Sequence, residues 1–325
     1  MRVVSLLPSA TESLVAIGGE SFLVGRSHEC DFPVSIIDRP ALTAQKRQAS
    51  QTSSPTSSPA EIDRQVRESL AAGQSLYDLD IKKLAELSPD VILTQDLCEV
   101  CSVDLAAVRR AAAQLPRAPE IVSLNPQTVE DVLEDLIRIG RAVGLEASAA
   151  DVAGRLRERM YQAIEHVNPF TDGPSVAFLE WTDPIFIGGH WTPQLIERAG
   201  GIHPLNPTTP VEGSGAAVGM QLAYRKAGKS IRVPSEIVAA SRPDAVIVCP
   251  CGVGLAETRR MAEALSREPW WSSLPAVRNG RVVLVDGNQY FNRPGPRLVE
   301  ALEFLVGWVN NVPRVIPEGF AWERF

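Results

Sequence analysis

Short apolar segments, which predict strands, are followed along the chain by amphipathic segments, which predict helices. Residues 2–7 are almost continuously apolar, which predicts a short buried strand, and residues 10–18 predict a helix. Pro8 provides the break between them. The same order returns at 176–179, an apolar strand followed by a Pro/Gly-rich loop over 182–193 and a short helix over 193–199. The chain therefore contains two halves that start alike.

A second pattern is shared by the halves. A helix end, a Pro-Asp turn and a buried strand occur at 84–93 and again at 239–248. A further helix and strand follow each of them, at 103–114 and 121–124 in the first half and at 255–266 and 281–285 in the second. Strands that alternate with helices predict an α/β fold with parallel β-sheets flanked by helices. Because the order repeats, we expect two such lobes.

The longest amphipathic stretch lies between the halves, over 128–143, and a second helix is predicted over 148–166. The predicted domains are an N-terminal α/β lobe at 1–125, an interdomain α-helix at 126–147 and a C-terminal α/β lobe at 148–325. A ligand cleft is expected between the lobes. The Ser-, Thr-, Gln- and Pro-rich residues from 48 to 60 predict an exposed loop.

Charge and composition exclude several classes of protein. The formal net charge is −7 and basic residues do not cluster, so we expect no nucleic-acid partner. Apolar runs fall short of the roughly 20 residues that span a bilayer. The N-terminus shows no signal peptide and the five cysteines do not suggest a disulfide framework, which predicts a cytoplasmic protein. A removed export signal would instead indicate a periplasmic or extracytoplasmic one. We expect a monomer.

Candidate ligand-binding residues follow from the position of the loops. In parallel α/β sheets, ligands bind beyond the carboxyl ends of the strands. The corresponding loops are unusually rich in aromatic and basic side chains, as a concave site for a large, partly apolar ligand requires. The candidates on these loops are Phe32, Gln95, Glu180, Trp181, His190, Trp191, Tyr290, Phe291, Arg293 and Arg297.

Each of these candidates also has a purely structural interpretation. Pro294 and Pro296 are placed to begin the last helix, with Arg297 paired locally. Trp191 is equally suited to anchor the helix that follows it. If the residues do contact ligand, the aromatics supply flat contact area, and the arginines bind carboxylate, amide or phosphate groups.

Four further residues form a candidate metal site. Cys98 and Cys101 form a CxxC after a predicted strand, and His28 and Cys30 lie in a neighbouring loop. Three thiols and one imidazole are the ligands of a tetrahedral zinc site. Packing of the cysteines as small apolar residues, a redox pair, or contact with a metal inside the ligand remain alternatives. The second pair, Cys249-Pro250-Cys251, is interpreted as packing.

Catalytic signatures are absent from the sequence. The chain has no phosphate loop, no dinucleotide fingerprint, no nucleophile elbow and no convincing acid/base pair. We therefore predict no catalytic residue and a protein that is not an enzyme.

Four motifs carry a resemblance to a known family. Residues 3–12 (VVSLLPSATE), 31–33 (DFP), 88–93 (SPDVIL) and 291–297 (FNRPGPR) resemble the helical-backbone class of ABC-importer solute-binding proteins, nearest to the vitamin B12-binding branch. The resemblance implies aromatics that hold a corrin ring, with Phe32 and Tyr290 at matching positions. Gln95 stands where that branch places a tryptophan. The membrane subunits of an importer are the implied partner.

The leading hypothesis is a solute-binding protein that holds a cobalamin or related corrinoid without turnover. The alternative is a cytosolic metal- or metal-chelate-binding protein that uses the Cys/His cluster, with zinc, iron, cobalt, haem or a siderophore as candidates. A third hypothesis is an enzyme acting on a tetrapyrrole or metal chelate, for which no acid/base pair is found.

Overall fold

The computed structural model describes residues 1–46, 58–72, 75–96, 103–211 and 225–325. These residues form two units. The first comprises Met1–Pro126 and Asp131–Leu156, and the second comprises Gln127–Glu130 and Arg157–Phe325. Both are α/β units.

Helices and strands alternate in the first half of the chain. They are β1 (Val3–Ser5), α1 (Pro8–Ala16), β2 (Leu23–Arg26), β3 (Thr43–Gln45), α2 (Pro59–Ala71), β4 (Tyr77–Leu79), α3 (Ile81–Leu87), β5 (Val91–Gln95), α4 (Leu105–Ala112), β6 (Glu120–Leu124), α5 (Val129–Val143) and α6 (Glu146–Ile164).

The second half has the same alternation with additional strands. Its elements are β7 (Val176–Thr182), β8 (Ile185–Ile187), α7 (Trp191–Arg198), β9 (Thr209–Pro210), β10 (Arg225–Lys226), β11 (Ile231–Arg232), α8 (Ser235–Ala240), β12 (Ala245–Val248), α9 (Leu255–Leu265), α10 (Pro275–Arg278), β13 (Val282–Val285), α11 (Leu298–Val309) and β14 (Trp322–Arg324).

The sheet of the first unit has the strand order β2-β1-β5-β6, and all its pairs are parallel. The strands are apolar because helices cover the sheet. Val4, Ile92 and Leu93 are fully buried. A separate antiparallel pair, β3 and β4, carries Thr43 and Tyr77. The four parallel strands end at one edge of the sheet, which we call the carboxyl edge.

The sheet of the second unit has the order β11-β8-β7-β12-β13-β14. Its central strands β7, β12 and β13 are parallel, whereas β8, β11 and β14 pair antiparallel at its two sides. The core contains Leu179, Val246, Val248 and Leu284, together with Trp271 from a short 3-10 turn. This sheet also has a carboxyl edge, formed by the ends of β7, β12 and β13.

Most predicted elements are confirmed. The α/β class is correct, the predicted 128–143 helix is α5, and its apolar stripe is buried through Val132, Leu136, Ile139 and Val143. Two expectations of the sequence were wrong in detail. The loop at 182–193 contains strand β8, and the polar segment ends at Pro59, where α2 begins with Ser58 as N-cap. Residues 47–57 lie outside the described part.

Candidate functional site

The loop after β2 places His28 at the carboxyl edge of the first sheet. Its Nδ1 lies 2.7 Å from Thr43 Oγ1, and its backbone N–H donates to the same oxygen at 3.0 Å. Ser27 Oγ lies 2.9 Å from Thr43 Oγ1 and accepts from the backbone N–H of Glu29. The ring also lies 5.7 Å from that of Tyr77. The Nδ1 side of the imidazole is therefore held by the Thr43 hydroxyl, which Ser27 contacts in turn.

Cys30 lies two residues beyond His28 but is buried, with 1% of its surface exposed. Its Sγ is 3.0 Å from Thr11 Oγ1 in α1, and Arg26 donates to its backbone oxygen. The other two predicted metal ligands, Cys98 and Cys101, lie outside the described residues. Among the residues that the structure describes, no group of three His, Cys, Asp or Glu side chains is placed to hold a metal ion. The metal site therefore stays a prediction.

Phe32 follows in the same loop, before a cis peptide bond to Pro33. Its side chain is 42% exposed, and Val34 nearby is 77% exposed. Gln95 ends β5 at the same carboxyl edge and is buried. An exposed aromatic ring and a buried polar side chain at the same edge of a sheet suit contact with a flat, partly apolar ligand.

Glu180 and Trp181 lie near the carboxyl end of β7 in the second unit. Ser230 donates a hydrogen bond to Glu180 Oε2. The indole Nε1 of Trp181 donates to the backbone oxygen of Asp183 at 3.1 Å, and the ring stays half-buried. These bonds fix both side chains at the edge of the sheet.

His190 precedes α7 with a backbone φ of 54° and ψ of −120°. That conformation is costly for a residue with a Cβ, so the surroundings must hold it. Its backbone N–H donates to Gly228 at 2.8 Å, and its ring stacks on Trp191 at 5.5 Å. Burial, and secondarily the charge of Lys229, lower the pKa of the imidazole, so it is neutral at pH 7.

The Nδ1 of His190 is buried and has no hydrogen-bond partner within the described residues. A buried N–H without an acceptor costs more than a buried lone pair, and orphaned N–H groups are the rarer of the two. We therefore assign the ring proton to Nε2. In this state Nε2 of His190 is a hydrogen-bond donor.

Three predicted aromatic residues are buried in the second unit. Trp191 donates from Nε1 to the backbone oxygen of Phe291 at 2.7 Å. Phe291 packs against Phe178 at a ring distance of 5.0 Å, and Tyr290 stacks on Phe320 at 4.0 Å. Burial raises the pKa of the Tyr290 phenol. The rings of Trp191, Tyr290 and Phe291 are therefore buried and do not form the solvent-exposed surface of their loops.

The two predicted arginines are also buried, with 5% of Arg293 and 6% of Arg297 exposed. The Arg297 guanidinium lies 5.2 Å from the centre of the Tyr290 ring and donates to Gln289 Oε1 at 2.5 Å. A guanidinium over an aromatic face is a stabilising arrangement. The hydrogen bond to Gln289 and the contact with the Tyr290 ring hold the Arg297 side chain in place.

Sequence reasoning missed Thr43, Tyr77 and Ser230. The sequence around them gave no signal, because each reaches its partner through the tertiary fold. Thr43, for example, is close to His28 because residues 40–42 run beside Arg26, with Leu42 N bonded to Arg26 O at 2.9 Å. Cys249, which had been interpreted as a packing residue, is fully buried.

Each unit thus carries aromatic, polar and basic side chains at or behind the carboxyl edge of a mainly parallel sheet. This combination is that of a protein that binds a small solute. The chain belongs to the periplasmic binding protein family, whose model matches residues 3–288. Members of this family bind solutes for ABC transporters and are not enzymes, as the sequence predicted.

Solved structures with the same fold cover nearly the whole chain. A periplasmic haem-binding protein from Pseudomonas aeruginosa has a TM-score of 0.67 at 18% identity, over 96% of this chain and 93% of its own. The vitamin B12-binding protein BtuF of Vibrio cholerae has 0.64 at 16%, over 96% and 98%. The haem-binding protein RhuT from Roseiflexus sp. RS-1 has 0.65 at 20%, over 95% and 98%.

At these identities the likeness shows the fold alone, and it confirms the helical-backbone class predicted from the sequence. Among curated proteins no sequence match was found. In the described part of the chain, no helix has the length and apolar character needed to cross a membrane.

Proposed function

We propose that this protein binds a cobalamin-like corrinoid as the solute-binding component of an ABC-type importer. The observation that supports it best is an aromatic ring with accessible surface at the carboxyl edge of each sheet. Phe32 supplies it in the first unit and Trp181 in the second. A corrin is large, flat and partly apolar, and aromatic rings provide the matching contact area at a low cost in side-chain entropy.

The polar candidates fit the rim of such a ligand. Corrin side chains end in amides, which both donate and accept hydrogen bonds. We propose that they accept a hydrogen bond from His190 Nε2–H and that they pair with the side-chain amide of Gln95. Glu180 is proposed to accept from amide N–H groups, and Arg293 and Arg297 to donate to carbonyl oxygens. The buried rings of Trp191, Tyr290 and Phe291 are proposed to support this surface from behind.

Ferric haem is the second candidate. It is favoured by the haem-binding names of two structural neighbours and by the presence of two arginines, Arg293 and Arg297, since guanidinium groups bind carboxylates better than neutral amides. Haem carries two carboxylates where a corrin carries amides. Arg297→Gln should therefore weaken haem binding more than corrinoid binding.

The test is direct binding of hydroxocobalamin and of ferric haem to the purified protein. Co-elution on gel filtration and quenching of tryptophan fluorescence give the stoichiometry and Kd. We expect one corrinoid per chain. Phe32→Ala and Trp181→Ala should each raise its Kd about tenfold, which corresponds to ~1.4 kcal/mol of lost contact.

Phe170→Ala is the matched control. Phe170 is 93% exposed and precedes β7, on the side of the second sheet away from the carboxyl edge. The variant should bind as the parent protein does. Absence of binding to both ligands, or an equal loss in Phe170→Ala, would contradict the proposal. Metal analysis of the protein as purified tests the remaining alternative, a resident metal held by the Cys/His cluster.

A further inference from the structure

The hydrogen bonds around His28 determine what its imidazole can do. Thr43 Oγ1 has three neighbours: His28 Nδ1 at 2.7 Å, Ser27 Oγ at 2.9 Å and the His28 backbone N–H at 3.0 Å. A hydroxyl has one proton and two lone pairs. The backbone N–H must occupy one lone pair, so the remaining proton and lone pair are shared between Ser27 and the imidazole.

Two hydrogen-bond patterns among Ser27, Thr43 and the His28 imidazole satisfy these conditions. In the first, Ser27 donates to Thr43 and Thr43 donates to His28 Nδ1, so that the imidazole proton lies on Nε2. In the second, His28 Nδ1–H donates to Thr43 and Thr43 donates to Ser27. Conversion of one into the other requires the imidazole proton to exchange between Nε2 and Nδ1 through solvent and the two hydroxyl hydrogens to rotate, and no heavy atom of the protein has to move.

The backbone holds these groups before any ligand arrives. Arg26 N donates to Pro40 O and Leu42 N donates to Arg26 O, which aligns the chain before Thr43 with the end of β2. β3 is held in turn by its pairing with β4. The second hydrogen-bond pattern is the one that coordinating histidines use, because their other ring N–H almost always has an acceptor.

Neighbouring side chains are already engaged. Cys30 is buried against Thr11, and the Glu29 carboxylate accepts from the Tyr77 hydroxyl at 3.2 Å. Within the described residues, no cluster of three metal-binding side chains completes a site for a bare ion. A single imidazole is sufficient when the metal arrives with its other ligands in a chelate.

We propose that His28 Nε2 is an axial ligand to the transition-metal ion of the bound chelate, with Thr43 as the acceptor for Nδ1–H. The Nε2 lone pair forms the bond, and the axial water leaves to solvent. His28 binds in the tautomer that has its proton on Nδ1, so Nε2 has no proton to lose, no net proton is exchanged with the chelate and no oxidation state changes. The inference rests on the proposed function and specifies its ligand class as a chelate with an exchangeable axial position.

The experiment uses aquocobalamin and ferric haem as probes. Each is mixed with the full-length protein, the complex is isolated by gel filtration, and its visible spectrum is compared with that of the same chelate in free imidazole. We expect the parent protein to give the imidazole-ligated spectrum. In the complex, nitrogen NMR should find the His28 proton on Nδ1, because Nε2 is then bonded to the metal ion.

Four variants separate coordination from folding. His28→Ala should still bind the probe but leave it in its water-ligated form, and added free imidazole should restore the shifted bands. Thr43→Val should weaken axial coordination about 10–100-fold, and Thr43→Ser should retain it. His166→Ala changes an exposed histidine at the end of α6 and should behave as the parent. Thermal unfolding verifies that each variant is folded, and His28→Gln replaces His28→Ala if that one is not.

The two possible failures are distinguishable. If the parent protein binds neither probe, the proposed function and this inference are both overturned. If it binds a probe without any change in the visible bands, or if His28→Ala retains the shifted bands, the inference is overturned while the proposed function stands.

Discussion

His28 and His190 occupy comparable places in the two units, each in a loop at the carboxyl edge of its sheet, but their surroundings differ. The Nδ1 of His28 lies 2.7 Å from a hydroxyl that can donate or accept. The Nδ1 of His190 is buried, and the described residues offer it no hydrogen-bond partner. The same residue type therefore has a hydroxyl partner behind its ring in one unit and a desolvated ring nitrogen in the other, which is why we propose coordination for His28 and hydrogen-bond donation for His190.

The backbones of the two loops differ as well. The 26–28 segment is aligned by regular hydrogen bonds to residues 40–42, whereas His190 has a positive φ and follows Gly189, which packs against other backbone atoms. The comparison shows that the atoms behind an imidazole, and not its sequence motif, decide which of its nitrogens is available.

The largest effect is expected from Gly189→Ala. A Cβ at this position would lie 2.3 Å from Ser230 N and 2.4 Å from Lys229 C, and backbone atoms cannot yield as a flexible side chain can. We expect a loss of about 2–4 kcal/mol in the free energy of unfolding, measured with urea. Gly154→Ala in α6 is the control, since no described atom beyond its chain neighbours and the surrounding helix backbone lies within 4 Å of its added Cβ, and it should gain about 0.5–1 kcal/mol. A Gly189→Ala variant with the same free energy of unfolding as the parent protein would show that the 189–190 backbone is not constrained.

A smaller loss is expected when the hydroxyl behind His28 is removed. Thr43→Val keeps the shape of the side chain but leaves buried Ser27 and the His28 backbone N–H without their partner. The expected cost is about 1–3 kcal/mol. Thr43→Ser retains the hydroxyl and should lose less. Urea unfolding of both variants measures the difference, and a Val variant as stable as the Ser variant would contradict the network described for His28.

Tyr77→Phe should cost less again, about 0.5–1 kcal/mol, because it removes one half-exposed hydrogen bond to Glu29 and retains the ring beside His28. Tyr161→Phe changes a 64% exposed residue and serves as control. Equal unfolding midpoints for the two variants would indicate that the Tyr77 hydroxyl contributes nothing.

The smallest effect is a change in pH dependence. Burial lowers the pKa of His190 below its unfolded value, so the unfolded chain binds a proton more readily than the folded protein does. The contribution of neutral His190 to the free energy of unfolding should therefore be fully present above the pKa that His190 has in the unfolded chain. It should decrease as the pH falls below that value towards the lower pKa of His190 in the folded protein. Unfolding at pH 5 and pH 8 should show a smaller difference for His190→Gln than for the parent. An unchanged difference would mean that His190 is not desolvated.

The fold could be predicted in large part because its signals are local. The 128–143 stripe repeats with the period of a helix, and α5 occupies Val129–Val143. The strands predicted at the ends of the 84–93 and 239–248 patterns are β5 and β12, and each of them has a parallel neighbour on both sides. By contrast, β8 and β14 are three-residue antiparallel strands, and such short segments have no distinguishing period.

The site was less predictable. The rule that ligands bind beyond the carboxyl ends of parallel strands selected the loops that contain His28, Phe32 and Trp181. It did not separate accessible rings from buried ones: Phe32 is 42% exposed, whereas Phe291 is 1% exposed. Whether an aromatic residue in a loop faces solvent or the core depends on residues distant in the chain, such as Phe178 for Phe291.

The sequence by itself determined the α/β class, the repeated order of strands and helices and the loops in which chemistry is concentrated, because periodicity and turn residues act between near neighbours. Only the tertiary structure decided that Thr43 stands behind the His28 ring and that the Nδ1 of His190 is buried. These contacts join residues 15 or more positions apart or depend on the burial of a whole loop. Proton positions and desolvation follow from such contacts, and no local pattern in the sequence encodes them.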